Sequence, residues 1–345
     1  MERLTYRFDE LHKEDSEKVG KKCANLGELA SAGFRVPRGF AVSLDAYSRF
    51  LAETGLIGRL EEFLSTLELD PHQASSLPRF EEASAVMRRM VDETDMPSDI
   101  ASGIGEHYEA LCQAAGNKAV AVATRSAGPA SHPGQYETYL HLRGASEVIY
   151  NVKRVWGSTF NTRSLVARAR QGLSLALDPI GVAVLEMVSA KAAGVMFTVN
   201  PADGDDSRIY IESNWGLGES VVSGEVTPDS FLVDKVSSGI LQRTVSPKKV
   251  WYVVDPGTGK VAQQAVPEEK RNAPTLTDAE TLELARLGRL VEDHFGLPQD
   301  IEWAVDEGLA LPESIFLLQT RPAKTEVKKK SSTDKIIDLM MRGIS

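Results

Sequence analysis

Two late segments constrain the fold most: Asp300-Ile301-Glu302-Trp303-Ala304-Val305-Asp306 and Ile315-Phe316-Leu317-Leu318-Gln319-Thr320-Arg321-Pro322. Alternation with a period of two fits a strand that buries one face. In the first segment Ile301, Trp303 and Val305 fall on one side, and Asp300, Glu302 and Asp306 on the other. In the second, Gln319 and Arg321 share a face with Leu317. The connection between them carries Gly308 and Pro312, which predicts an antiparallel hairpin. Such pairing gathers two carboxylates, an amide oxygen and a guanidinium on one surface. Carboxylate and amide oxygens suit Mg²⁺, and a guanidinium suits phosphate. A half-buried hairpin whose polar face meets water shows the same alternation, so this stretch alone leaves both readings open.

At 345 residues the chain exceeds what one hydrophobic core usually serves, and two or three subdomains are expected. No apolar run is long enough to span a bilayer, and Met1-Glu2-Arg3-Leu4 is not a secretory signal. Two cysteines, Cys23 and Cys112, exclude a disulfide framework and a thiolate metal site. Together these features predict a cytoplasmic protein with no membrane partner. A net charge of −10 argues against nucleic acid as a partner. A nucleotide needs only a local basic pocket and stays open.

Residues 19–33 read as a glycine-containing loop entering a helix, with Leu26, Leu29 and Ala30 inward and Gly33 as the stop. Lysines there are placed for phosphate, because backbone N–H groups and the helix dipole favour an anion. The spacing is not that of a Walker A loop, and a lysine pair on a solvated turn is the alternative. Residues 45–115 read mainly as helices. A buried strand at 119–124 runs into a loop rich in small residues, with Arg125 at the strand end. His132 in that loop reads as a polar loop residue, since nothing is spaced to orient it. A helical run at 152–172 carries several arginines. Strands at 180–188 and 193–201 can hold an adenine between apolar side chains, or form plain sheet core. A strand from 209 ends in a Gly-rich turn; Glu219 and Glu225 there could reach a ribose or a metal, or the glycines simply supply positive φ. Further strands fill 230–265. Thr277-Asp278-Ala279-Glu280 is a capping box opening a helix that Gly296 stops. Residues 328–334 read as a solvated linker, followed by a short amphipathic piece that docks on this chain or a partner.

In order, the segments 19–29, 122–140, 194–201, 212–229, 300–304 and 318–322 resemble the N-terminal ATP-binding part of the phosphoenolpyruvate synthase and pyruvate phosphate dikinase family. The resemblance implies an α+β, ATP-grasp fold of two lobes with ATP bound between them. It divides the chain into an N-terminal lobe at 1–179, a C-terminal lobe at 180–325 and a linker with tail at 326–345. The family transfers a phosphoryl group from Mg-ATP, through a phosphohistidine on a separate domain, to a small acceptor. Carried over by position, Lys22 and Arg125 match phosphate-binding residues, and Arg321 matches the arginine that stabilises transferring phosphate. Glu302 and Gln319 match the metal and phosphate side, with Asp300 beside them. Glu186, Met187 and Val188 fall where the family hinge receives adenine, and Gly134 and Glu219 lie in its other nucleotide-proximal motifs. Lys21 and Cys23 stand where the family usually has glycines, and Leu185 replaces a common glutamine. No stretch resembles the phosphohistidine motif. The expected arrangement is therefore an ATP-binding subunit whose partner subunit carries the histidine, similar to phenylphosphate synthase. Phenol would be the acceptor, with release of AMP and phosphate. The alternatives are the ATP-grasp part of a phosphoenolpyruvate synthase or other dikinase, and a non-catalytic nucleotide-sensing scaffold.

Overall fold

The computed structural model describes residues 3–129 and 136–324. It combines helices with antiparallel sheets and divides into two compact units. Unit one is Met1–Ser189 with Val253–Gln263 and Phe316–Gln319; unit two is Ala190–Tyr252 with Gln264–Ile315 and Thr320–Ser345. Among the described residues no helix is long and apolar enough to cross a membrane.

The first unit is built on a sheet of β1 (Thr5–Arg7), β2 (Gly39–Val42), β3 (Val122–Ala127), β4 (Thr138–Leu142) and β5 (Gly181–Glu186), in the order β1-β2-β5-β3-β4. Every neighbouring pair is antiparallel. Both faces are covered, so the central strand β5 is apolar from Gly181 to Leu185 rather than alternating, with Glu186 at its end. Val122, Val182 and Val184 face a thick helical layer, whose centre is Trp156 stacked on Tyr47 and Phe50 at centroid distances of 5.2 and 5.3 Å. Ala41, Ala127, Ala183 and Leu185 face the single helix Lys21–Ser31, which contributes Cys23, Ala24 and Leu26. The small residues on this side let that helix lie close to the sheet.

Its start is fixed by Gly20. The residue sits at φ +80°, and a Cβ there would stand 1.9 Å from the Ala127 carbonyl oxygen. The adjacent Lys21 N–H donates to the Gly128 carbonyl at 3.0 Å. The helix therefore begins one residue after Gly20, and Lys21 and Lys22 lie in its first turn rather than in a preceding loop. The strand expected at 119–124 lies three residues later, at Val122–Ala127, so Arg125 belongs to the sheet.

The second sheet is made of β6 (Ala190–Phe197), β7 (Arg208–Trp215), β8 (Asp229–Asp234), β9 (Ile240–Thr244), β12 (Gln299–Asp306) and β13 (Ile315–Pro322); all belong to the second unit except Phe316–Gln319 of β13, which belongs to the first. The six form one sheet of order β13-β12-β6-β7-β8-β9; β10 (Val250–Val254) and β11 (Val261–Ala265) make a separate ribbon. One face of the sheet carries Ile301, Trp303, Met196, Ile211 and Phe231, all buried against the side of the helix Asp278–Phe295 that bears Leu284 and Val291. That helix opens on the expected capping box: Glu280 N–H donates to Thr277 Oγ1 at 3.2 Å, and Thr277 N–H to Glu280 Oε2 at 2.8 Å. It closes at Gly296, φ +72°.

Beyond the sheet, Asp229 and Lys248 form an ion pair whose side chains are both fully buried. The Lys248 ammonium donates to Asp229 Oδ1 at 2.5 Å and to the Ser246 carbonyl at 2.9 Å. Asp229 also accepts from Ser246 N–H and from the N–H and hydroxyl of Thr275. The carboxylate thus ties the start of β8 to two later segments. Asp229→Ala leaves the ammonium buried without its counter-charge and should cost about 3–5 kcal/mol, read as a lowered midpoint in thermal unfolding. The double replacement Asp229→Leu with Lys248→Met should recover most of that loss. A single variant as stable as the parent would contradict the role assigned to the pair.

Candidate functional site

The sequence-predicted residues fall into groups, each positioned by its own unit. In the first unit, Arg125 on β3 stands opposite Ala183 on β5, and Ala183 packs on the helix Lys21–Ser31. Cross-strand partners share a face, so Arg125 lies on the side of the sheet that this helix covers. Lys22 is in the first turn of the same helix, and Gly20 and Lys21 meet β3 at Ala127 and Gly128. Two cationic side chains are therefore carried on one side of one sheet, near its Ala127 end. A helix start and a guanidinium are both suited to phosphate oxygens.

Glu186, Met187 and Val188 lie at the opposite end of β5, where the chain leaves for β6. Glu186 is held tightly: its carboxylate accepts from Arg38 Nε at 2.8 Å and Nη2 at 3.1 Å, and its N–H donates to the Arg38 carbonyl at 2.8 Å. The Met187 N–H donates to the Ala121 carbonyl at 2.8 Å. The Glu186 side chain is thus a brace for this segment. Gly134, like His132 and the C-terminal tail, lies outside the described residues.

In the second unit the register across three strands sets the geometry. Glu302 on β12 stands opposite Val195 on β6, which stands opposite Glu212 on β7. Asp300, Phe197 and Tyr210 form the adjacent row on the same face. The face turned away from the helix Asp278–Phe295 therefore carries three carboxylates from two strands. Arg321 donates to Asp300 Oδ2 through Nε at 2.8 Å and Nη2 at 2.7 Å, which fixes that side of β13 beside Asp300. Glu212 accepts from the Tyr210 hydroxyl at 3.1 Å. Burial, and then the charge of Glu212, raise the Tyr210 pKa and keep the phenol a donor. Glu219 opens the short turn of helix Glu219–Val222, where Asn214 Nδ2 donates to Ser220 Oγ at 2.8 Å.

Glu212 was not among the residues singled out from sequence. Its alternation with buried Ile209 and Ile211 was visible there, but its placement in one row with Glu302 depends on β6 lying between them.

Two observations test the fit of a magnesium nucleotide. Gln319 is 5% exposed, and its Oε1 has no hydrogen-bond partner among the described residues. An orphaned buried amide oxygen is costly, and a hard cation or a bound polar ligand satisfies it. Among the described residues no three His, Cys, Asp or Glu side chains cluster to cage a metal. Mg²⁺ does not require such a cage: it keeps waters and phosphate oxygens and takes one or two protein ligands. Taken unit by unit, the groups are of the kinds that Mg²⁺ and a polyphosphate take: the Gln319 amide oxygen and the cations Lys22 and Arg125 in the first unit, and the Glu302 carboxylate and Arg321 guanidinium in the second.

Asp300 titrates above the ordinary aspartate value because burial disfavours its charge, and Glu302 adds to the rise; Arg321 opposes both. The folded state thus binds this proton more readily than the unfolded chain. Its contribution to stability is fully present below the unfolded pKa and is lost as pH rises through the folded one. Arg321→Gln removes the opposing charge and should move the Asp300 midpoint upward by about 1–3 pH units, read by carboxyl-carbon NMR titration. An unchanged or lower midpoint would contradict the assigned pairing.

Residues 16–341 match the family model described as pyruvate phosphate dikinase, AMP/ATP-binding domain. The chain is 40% identical over 344 residues to a probable phosphoenolpyruvate synthase of Methanothermobacter thermautotrophicus, covering 98% of this chain and 48% of that protein. It is 36% identical over 349 residues to the probable phosphoenolpyruvate synthase of Methanocaldococcus jannaschii, covering 98% of this chain and 28% of that protein. Identity to the phosphoenolpyruvate synthase of Aeropyrum pernix is 36% over 361 residues, covering 96% and 44% respectively. The chain thus spans about half the length, or less, of these relatives. It belongs to the pyruvate phosphate dikinase AMP/ATP-binding domain family.

Proposed function

We propose that this chain is the ATP-grasp portion of a phosphoenolpyruvate synthase-type dikinase. Two lobes, at 1–179 and 180–325, would hold Mg-ATP and present it to a histidine on a separate domain. That histidine would deliver one phosphoryl group to pyruvate, and water would take the other, so that AMP and phosphate are released. The observation that carries the reading is the buried Gln319 amide oxygen, which has no hydrogen-bond partner among the described residues, on a strand that also carries Arg321, in a chain of this family. Phenol, the acceptor expected from a split arrangement, draws no support from the relatives reported above, which are named phosphoenolpyruvate synthases. Pyruvate is the better supported acceptor.

The residue roles follow from charge and position. Lys22 and Arg125 bind phosphate oxygens on the first lobe. Glu302 and Gln319 hold the metal, and Glu212 adds to the negative field on its face. Arg321 supplies charge to the phosphoryl group in transfer, and Asp300 positions its guanidinium. Glu186, Met187 and Val188 form the edge that receives adenine, and Glu219 lies in a further nucleotide-proximal motif, as Gly134 does by sequence position. Bound Mg²⁺ would neutralise charge on the phosphates, where little covalent chemistry is asked of the protein.

The test supplies the chain with the histidine-bearing remainder of a relative and with ATP labelled at its β and γ phosphates. Label should appear on the histidine and then on pyruvate. Gln319→Leu should lower histidine labelling by about 100-fold or more. Its thermal midpoint should hold or rise, because a buried unpaired amide is replaced by an apolar group. Full labelling in Gln319→Leu would overturn the site, and label passing to phenol but not pyruvate would overturn the acceptor.

A further inference from the structure

A cavity lies within the first unit; Lys22, Arg125, Met187 and Val188 do not line it, and it borders the 186–188 segment only through Arg38. Its volume is about 390 Å³, in the range of roughly 300–1,000 Å³ typical of small-molecule sites. The walls come from the segment Phe34–Arg38, the 3₁₀ turn at Phe8, and the last two turns of the helix Ser98–Ala114. They are mostly carbon, with the rings of Phe8, Phe34 and Phe40 prominent among them. Three arginines and one histidine share this apolar lining, and their partners differ.

Arg7 is paired with Asp9 through both Nε and Nη2. Arg38 is paired with Glu186, and its Nη1 donates to the Ala114 carbonyl at 2.6 Å. Arg35 has no carboxylate partner among the described residues; its guanidinium lies 4.6 Å from the centroid of the Phe316 ring. His107 places Nδ1 2.9 Å from the Gly103 carbonyl and 3.1 Å from Thr5 Oγ1, while its ring leans on Phe40 at 5.4 Å. The anchored Nδ1 leaves Nε2 as the histidine's remaining polar atom. Two of the three guanidinium charges are therefore cancelled locally and one, on Arg35, is not.

We infer that this cavity binds a small monoanion with a flat apolar body, an aryl or short branched carboxylate, whose carboxylate pairs with Arg35. The carbon lining and aromatic rings take the body of such a ligand. The single uncancelled cation selects one negative charge, since a dianion would bring a second charge with no partner. The backing that Phe316 gives Arg35 holds the guanidinium in place, so less order is lost on binding.

The site is tested on the full chain without nucleotide, so failure here is separate from failure of the nucleotide reading. The probe is 3-phenylpropanoate, titrated by calorimetry and by saturation-transfer NMR. Saturable binding is expected with a Kd of about 1 mM or tighter, in keeping with a fragment-sized ligand. The neutral 3-phenylpropan-1-ol should bind about tenfold more weakly, and Arg35→Gln should weaken the acid by a similar factor. Ala110 lines the cavity from an exposed helix position, so Ala110→Trp fills the space without burdening the core and should abolish binding. The inference is overturned by absence of saturable binding to the parent. It is equally overturned by unchanged affinity in Ala110→Trp or Arg35→Gln, or by equal affinity for the alcohol.

Discussion

Strand β6 can lie between β12 and β7 only because residue 194 has no side chain. A Cβ there would stand 1.8 Å from the Glu212 carbonyl oxygen, closer than any backbone movement short of repairing the sheet would relieve. On its other side the same glycine faces Trp303, a fully buried ring. This close approach fixes the register of three strands at once. Because the side-chain period is two, a slip by one residue would turn Asp300, Glu302 and Glu212 into the core and Trp303 out of it. The acidic face and the hydrophobic core are two consequences of one alignment.

The first unit solves a parallel problem with different means. Its central strand is apolar on both faces, so the sheet is shielded on one side by a deep helical layer and on the other by the helix Lys21–Ser31. Gly20 and the alanines of the sheet let that helix start directly against β3. The position of the Lys22 backbone then follows from the packing of Gly20 against β3. Charged groups held by rigid elements are pre-organised for an anion, which is what phosphoryl transfer asks of a protein.

Much of this was legible in the sequence. The alternation in Asp300–Asp306 identified the outward carboxylates, and the capping box at Thr277 marked the start of its helix with the right partners. Local signals of this kind need only neighbouring residues. What the sequence did not disclose depends on contacts between distant segments. Lys22 read as a loop residue because the helix start is set by Gly20 against Ala127, over a hundred residues away. Glu212 passed unremarked because its relation to Glu302 requires β6 between them. Resemblance placed Glu186 at the hinge that receives adenine, but the clamp of its carboxylate on Arg38, which joins residues 148 apart in the chain, was not legible. The fully buried Lys248 likewise looks like an ordinary surface lysine until Asp229 is placed beside it.

In the function proposed, Lys22 and Arg125 of one unit and Glu302 and Arg321 of the other would serve a single magnesium nucleotide. Hydrogen exchange with and without Mg-ATP tests it most directly, because backbone protection reports each segment separately. Binding should slow exchange together in the first turn of the helix Lys21–Ser31, in β3, in β12 and in β13, all with the same nucleotide dependence. Protection confined to the segments of one unit, or appearing at different nucleotide concentrations in the two, would contradict the account.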